Sequence, residues 1–313
     1  MQNIGSTPRL GIHSIGEFSL VVPSLAEARA FYAAFGLIVD DDITRERLVL
    51  RTADGTAWGE IVEGARKHMR HITFHCYAND FDALRARVSW HDVDTGSAPQ
   101  WAARHDGLWF MDPDGLWIEI RVGVKTTPDA VQRVAPAQPV DGLRAGLARS
   151  EMPRVYPDRL SHIMRLTPDV DRMVRFYVDV LGLRLSDHSE DKVAFLHGAH
   201  GSDHHLMAFG LSNAPALHHL SWDVPTFEHV GIGAMGMAAR GYKEGWGVGR
   251  HVLGSNYFFY VQDPWGSFCE YSSGMDFIPS SVNWQALDHP LEDSSYLWGP
   301  EVPVALRANS ELN

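Results

Sequence analysis

The chain has 313 residues, of which 45% are hydrophobic and 21% charged, the balance of a folded protein long enough for two domains. Acidic residues outnumber basic ones by 39 to 27, a net charge of -12 with no basic run, which argues against nucleic acid or an anionic membrane as partner. The only cysteines, Cys76 and Cys269, exclude a disulfide framework and a sulfur-rich zinc site, so any metal must be held by nitrogen and oxygen.

The opening MQNIGSTPRLG has no apolar core of signal-peptide length, and no later stretch approaches a bilayer span, so a cytoplasmic protein is expected. FSLVVPSLAEARAFYAAFGL reads as a strand and an amphipathic helix, with Ser24 and Glu27 as a capping box and Gly36 at the stop. RHITFHCY opens a second unit whose helix covers about residues 80–88, and MDPDGLWIEI at 111–120 ends it on a strand carrying Glu119. Residues 123–158 are rich in Pro and Ala without alternation and read as a linker. In the third unit Thr167 and Pro168 lead into a helix that ends near Gly182. HHLSWDVP then opens a fourth, with a helix over about 227–240 and a hairpin, GRHVLGSNYFFYVQDPWGSFCEY, at 249–271. The tail, 276–313, carries Trp284 and Trp298 without periodicity and is expected to pack on the second domain as irregular chain.

The four units form two pairs. MDPDGLWIEI and QDPWGSFCEY share Asp-Pro-x-Gly-x-x-x-Glu, which sets Glu119 beside Glu270, and the strand starts set His71 beside His219. Pro23 likewise matches Pro168, and Phe31-Tyr32 matches Phe176-Tyr177. The order strand, helix, strands in every unit predicts an α+β fold with domains over 1–122 and 159–275. In the second domain His162, His219 and Glu270 stand at corresponding strand positions. Each alone reads more readily as a structural or solvated residue. Together they make the two-imidazole, one-carboxylate set suited to non-haem Fe(II), and alternate side chains of a curved sheet can converge on one ion.

The hairpin carries a longer pattern. Gly249-x-His251, seven residues, Phe259-Tyr260, two residues, Asp263-Pro264-x-Gly266, three residues and Glu270 resembles the signature of type I extradiol ring-cleavage dioxygenases of the vicinal oxygen chelate superfamily. The resemblance spans nearly the whole chain and implies two domains, each of two βαβββ units, in mixed curved sheets with helices outside. It implies one Fe(II), sometimes Mn(II), held by His162, His219 and Glu270, with His205, His251 and Tyr260 facing the substrate. His205 is the implied acid/base, because it stands three residues before the Ala-Phe of HHLMAF; His204 is the less favoured neighbour, and strand register favours His219 over His218. The implied reaction is extradiol cleavage of a substituted or bicyclic catechol by dioxygen, giving a 2-hydroxymuconic semialdehyde type product in aromatic degradation, in a homo-oligomer.

The N-terminal half departs from that pattern. It keeps His71 and Glu119, but Glu17 stands where His162 does, and Trp109 and Gln100 replace Tyr260 and His251, so it reads as a repeat without a catalytic metal. The substrate pocket is expected to use the fourth helix, Trp265 and the tail, with Trp298 at its mouth and no Arg or Lys as a carboxylate clamp. Competing readings are a 4-hydroxyphenylpyruvate type dioxygenase, a hydroquinone-cleaving relative, a zinc or nickel isomerase of glyoxalase type, and a ligand-sequestering protein without chemistry.

Overall fold

The computed structural model describes residues 9–131 and 140–312. Residues 1–8 of the expected first domain, 132–139 of the expected linker and the last residue of the tail lie outside the described residues. In the N-terminal half β1 (Ser14–Val22), α1 (Leu25–Phe35), β2 (Ile38–Asp42), β3 (Arg47–Arg51) and β4 (Ala57–Glu63) precede β5 (His68–Cys76), α2 (Ala78–Trp90), β6 (Leu108–Met111) and β7 (Trp117–Val122). They form one seven-stranded sheet in the order β2-β3-β4-β1-β5-β7-β6. The C-terminal half repeats this with β8 (Arg159–Thr167), α3 (Val170–Asp179), β9 (Arg184–Ser189), β10 (Val193–His197), β11 (Ser202–Asp203) and β12 (Met207–Leu211). There follow β13 (Ala216–Asp223), α4 (Phe227–Ala239), β14 (Gly245–Arg250), β15 (Tyr257–Gln262) and β16 (Phe268–Ser273). Its eight-stranded sheet runs β14-β15-β16-β13-β8-β12-β10-β9.

Both sheets are mixed, because each unit's first strand pairs antiparallel with the other unit's first strand and parallel with its own unit's last strand. The pairs are not equal. The fourth unit places three strands after its helix and the second only two, so β14 has no counterpart in the first sheet.

Helix ends follow local chemistry. Ser24 Oγ accepts from the Glu27 amide at 3.2 Å, and Gly36, at φ 107°, ends α1 in a conformation that a side chain would disfavour. α3 starts two residues later than its Thr-Pro lead suggests. Asp169 is the cap, accepting from the Arg172 amide at 2.9 Å, while Thr167 Oγ1 accepts from the Asp169 amide. α4 packs on the sheet face opposite Glu270. Gly233 lies against the ring of Tyr271, where a Cβ would come within 2.8 Å of it, and Tyr271 follows Glu270 and so projects to the other side.

The two halves share one core at these helix faces. Phe35 of α1 stacks on Tyr271 with centroids 4.0 Å apart, and Tyr271 Oη donates to the Phe35 carbonyl at 2.6 Å. Asp112, just after β6, accepts from Arg165 and Tyr177 of the other half and from the amides of Asp114 and Leu116. The tail differs from an irregular strap. β17 (Phe277–Ile278) pairs with β11, and α5 (Val304–Arg307) forms a single turn. Among the described residues no helix is long and apolar enough to cross a membrane.

Asp112→Ala leaves the buried guanidinium of Arg165 without its carboxylate. It should lower unfolding free energy by about 3–5 kcal/mol in urea denaturation, whereas a loss below about 1 kcal/mol would show the pair to behave like a surface one.

Candidate metal centre and catalytic cavity

Register brings the candidate ligands together. Ser221 of β13 is paired with His162 of β8 on one side and with Glu270 of β16 on the other, and Glu270 in turn is paired with Tyr260 of β15. His162, Ser221, Glu270 and Tyr260 thus form one row across four strands, and His219, two residues from Ser221, joins the same face. Ser221 is the small member between two ligands, so its neighbours can lean across it. His162 Nε2 lies 3.0 Å from His219 Nε2 and 3.3 Å from Glu270 Oε2, and His219 Nε2 is 3.7 Å from the same oxygen. Among the described residues this is the only group of three whose ligand atoms lie within 4.8 Å of one another.

The donor set fits a divalent cation. Glu270 is fully buried, and its Oε2, facing two imidazole nitrogens, has no hydrogen-bond partner. Burial disfavours its charge, but the imidazoles of His162, His251 and His219 outweigh burial and hold the carboxyl well below its usual range. A charged, buried oxygen without a donor costs several kcal/mol; a cation between the three groups removes that cost. Its other oxygen accepts from Asn256 Nδ2 at 3.2 Å, and Asn256 also donates to Ser272 at 2.9 Å, so the carboxylate cannot rotate freely.

Hydrogen-bond chains fix the imidazoles. The Leu306 carbonyl can only accept, so His218, 2.7 Å away, carries its proton on Nε2 and leaves Nδ1 as an acceptor. His219 Nδ1, at 2.6 Å, therefore donates to it and presents a bare Nε2 to the centre. A second chain runs from Asp187. Its carboxylate accepts from His204 Nε2 at 2.9 Å, and His204 Nδ1 accepts from His205 Nδ1 at 3.1 Å, which leaves His205 Nε2 free as a base. Burial and neighbouring histidines, His162 first, push His205 well below its usual value, so it is neutral. His251 Nδ1 donates to the Ser295 carbonyl at 2.6 Å, and Tyr260 Oη donates to His251 Nε2 at 3.0 Å. Burial and Glu270 raise the Tyr260 phenol well above its usual range, so its proton stays.

A cavity of about 210 Å³ opens over this face, lined by His162, His205, His219, His251 and Tyr260 and by apolar groups including Met164, Phe195, Trp246 and Leu253. His204 is absent from that lining and stands behind His205. The expected walls need correction. Neither α4 nor Trp265 borders the cavity, because α4 covers the opposite face. Trp298 instead packs on Phe227 and Tyr257, with its carbonyl taken by the Arg250 amide. Ser294, Ser295, Val302, Leu306 and Arg307 of the tail form the wall, and Arg307, exposed at the rim, is a cation the sequence did not single out. Ser221, Asn256 and Asp187 also escaped notice, and His218, weighed in the sequence only as an alternative ligand, is the relay behind His219. The doubled histidines at 204–205 and 218–219 were the one visible signal for two of the relays.

The first sheet repeats the row as Glu17–Thr73–Glu119–Trp109, with His71 two residues from Thr73. Here Arg121 intrudes, bonding Glu17 at 2.9 Å and approaching Glu119 at 3.8 Å, while Thr73 Oγ1 donates to Glu119 at 2.6 Å. Gln100, exposed in the segment before β6, reaches no comparable place because β14 has no counterpart.

A family model described as the Glyoxalase/Bleomycin resistance protein/Dioxygenase superfamily matches residues 159–271. The chain is 46% identical to metapyrocatechase 2 of Cupriavidus necator over 97% of its own length and 94% of that protein. It is 30% identical to a biphenyl-2,3-diol 1,2-dioxygenase of Metapseudomonas furukawaii over 66% of its length and 65% of that protein. Its fold matches the crystal structure of an Mn(II)-bound glyoxalase from Novosphingobium aromaticivorans with a TM-score of 0.75 at 27% identity, covering 94% of each chain. Fold and family model define a vicinal oxygen chelate protein. Within that superfamily the chain belongs to the extradiol ring-cleavage dioxygenases.

Ser221→Leu inserts a side chain between His162 and Glu270, and should weaken Mn(II) binding by about 10–100-fold while the fold persists. Ser221→Ala should bind as the parent does. Equal affinity in the Leu variant, measured by metal titration with circular dichroism as control, would show that convergence over residue 221 is unimportant.

Proposed function

We propose that the protein cleaves a catechol beside its diol, using dioxygen and one Fe(II) held by His162, His219 and Glu270. The observation that carries this reading is the unpartnered Glu270 Oε2 facing two imidazole nitrogens beneath an apolar cavity. Its relatives named for catechol-type cleavage support the reaction, and the donor set of two nitrogens and one carboxylate oxygen suits iron, with Mn(II) an alternative. When bound, a metal held by these three residues would supply Lewis acidity toward the diol and a redox route to dioxygen.

The side chains manage protons and position. His205, neutral with Nε2 free, takes the proton of one substrate hydroxyl and returns it to oxygen as the ring opens. His251 is anchored through Nδ1 to Ser295, and when substrate enters, Tyr260 Oη turns its one proton from His251 Nε2 to a substrate oxygen, which frees Nε2 to accept from a substrate hydroxyl. Trp246, Phe195, Met164 and Leu253 exclude water and hold the ring. The volume of about 210 Å³ and the apolar lining suit a catechol with apolar substituents. The expected product is of the 2-hydroxymuconic semialdehyde type.

With Fe(II) loaded anaerobically, a panel of alkylated catechols under labelled dioxygen should give a yellow, pH-sensitive semialdehyde with both labelled atoms retained, the aldehyde one subject to exchange with water. A muconic diacid, turnover of para-diols alone, or no oxygen uptake with any catechol would sink the proposal. His205→Ala should keep the metal and bind catechol, with kcat lower by about 10²–10⁴-fold; loss of iron in that variant would make His205 a ligand instead.

A further inference from the structure

His218 stands at a break in register. Leu217 of β13 is paired with Arg165 of β8 and His219 with Met164, so His218 is the extra residue of a β-bulge. Strict alternation would send two neighbours to opposite faces of the sheet. The bulge instead lets both His218 and His219 line the cavity and sets their Nδ1 atoms 2.6 Å apart. The relay behind His219 exists only while the bulge does.

A bulge disrupts the ladder, and here side chains from outside the sheet take up the backbone beside it. Leu217, the residue before it, gives its N–H to Glu311 Oε1 at 3.1 Å, and its carbonyl accepts from Ser267 Oγ at 2.7 Å and from Lys67 Nζ at 3.4 Å. Lys67 also donates to Ser267 and lies 3.0 Å from Glu311. The side chains of Lys67 and Glu311 are 4% and 13% exposed, so the pair acts largely away from water. They come from distant parts of the chain. Lys67 immediately precedes β5 in the half without the ligand set, and Glu311 belongs to the tail, where Asn309 accepts from its amide at 3.0 Å and donates to the Ala214 carbonyl at 2.9 Å.

The first sheet keeps the bulge and not the relay. Met69 is paired with Leu20 and His71 with Ser19, which makes Arg70 the extra residue. Arg70 turns to Ser19 and Glu60, and His71 Nδ1 is left without a partner. With His71 set beside His219, Pro215 stands where Lys67 does, so the brace runs from the N-terminal half to the C-terminal one and not back.

We propose that Lys67 and Glu311 are positioning residues for the metal ligand His219: by bracing Leu217 they fix the bulge that turns His218 to accept from His219 Nδ1. The inference rests on His219 being a ligand. It gives the half that lacks the ligand set a part in metal binding by the other.

The test is a titration of the full-length protein with Mn(II), together with the His219 Nδ1–H proton resonance of the Zn(II)-loaded protein, assigned by its loss in His218→Phe. Lys67→Met and Glu311→Ala should each weaken Mn(II) binding by about tenfold and shift that resonance upfield. Because both act through Leu217, the double variant should bind about as weakly as the weaker single one. Asp112→Ala, which breaks the other buried ion pair between the halves, should lower stability and leave Mn(II) affinity unchanged. Glu311 is nearly at the end of the chain, so its variant serves as the test even if Lys67→Met does not fold. Parental affinity or an unshifted resonance in folded Glu311→Ala would overturn the proposal, as would an equal loss of affinity in Asp112→Ala. His219→Ala should lose Mn(II) altogether; if it does not, the ligand set fails rather than the brace.

Discussion

The structure depends most on keeping a carboxylate charged in a place that water does not reach. Glu270 has one oxygen steadied by Asn256 and another with nothing but imidazole before it. Left alone, such a group would take up a proton or draw its surroundings inward. Four hydrogen-bonded strands prevent the collapse by fixing where His162, Ser221, Glu270 and Tyr260 stand, and the serine supplies the gap over which the ligands meet. The sheet itself fixes where these side chains stand, which is the pre-organisation that tight and selective coordination needs.

Duplication makes the constraint visible. The two sheets carry the same row at the same register, yet the N-terminal one has Glu17 in place of the first imidazole and sets Arg121 and Thr73 against its carboxylates, with Glu119 Oε1 left without a partner. A guanidinium there does from within the chain part of what a cation does in the other half. The first sheet has no strand corresponding to β14, and a larger cavity, with several arginines in its lining, lies over its row.

Much of this was readable from spacing. The Asp-Pro-x-Gly turns, the paired Phe-Tyr positions and the hairpin from Gly249 to Glu270 are local patterns, and local patterns survive in a sequence. The walls of the cavity were misread because facing depends on pleat parity. Trp265 and α4 lie close to the hairpin along the chain but not on the face of Glu270. Ser221 and Asn256 look like ordinary polar residues until register sets one between two ligands and the other under a carboxylate. The proton assignments of His218 and His251 were further out of reach, since they depend on carbonyls 88 and 44 residues away.

Those carbonyls belong to the tail. Leu306 and Ser295 offer only backbone oxygen, so almost any residue at either position could serve, and a comparison of sequences would pass over them. The histidines they orient are nonetheless tied to the path of the last forty or so residues, which also reach back to the other half through Glu311 and Lys67, 3.0 Å apart. The tautomers that point His219 and His251 are therefore fixed only when the tail has packed against the sheet, so a change that loosened the tail would disorder the centre without touching any ligand.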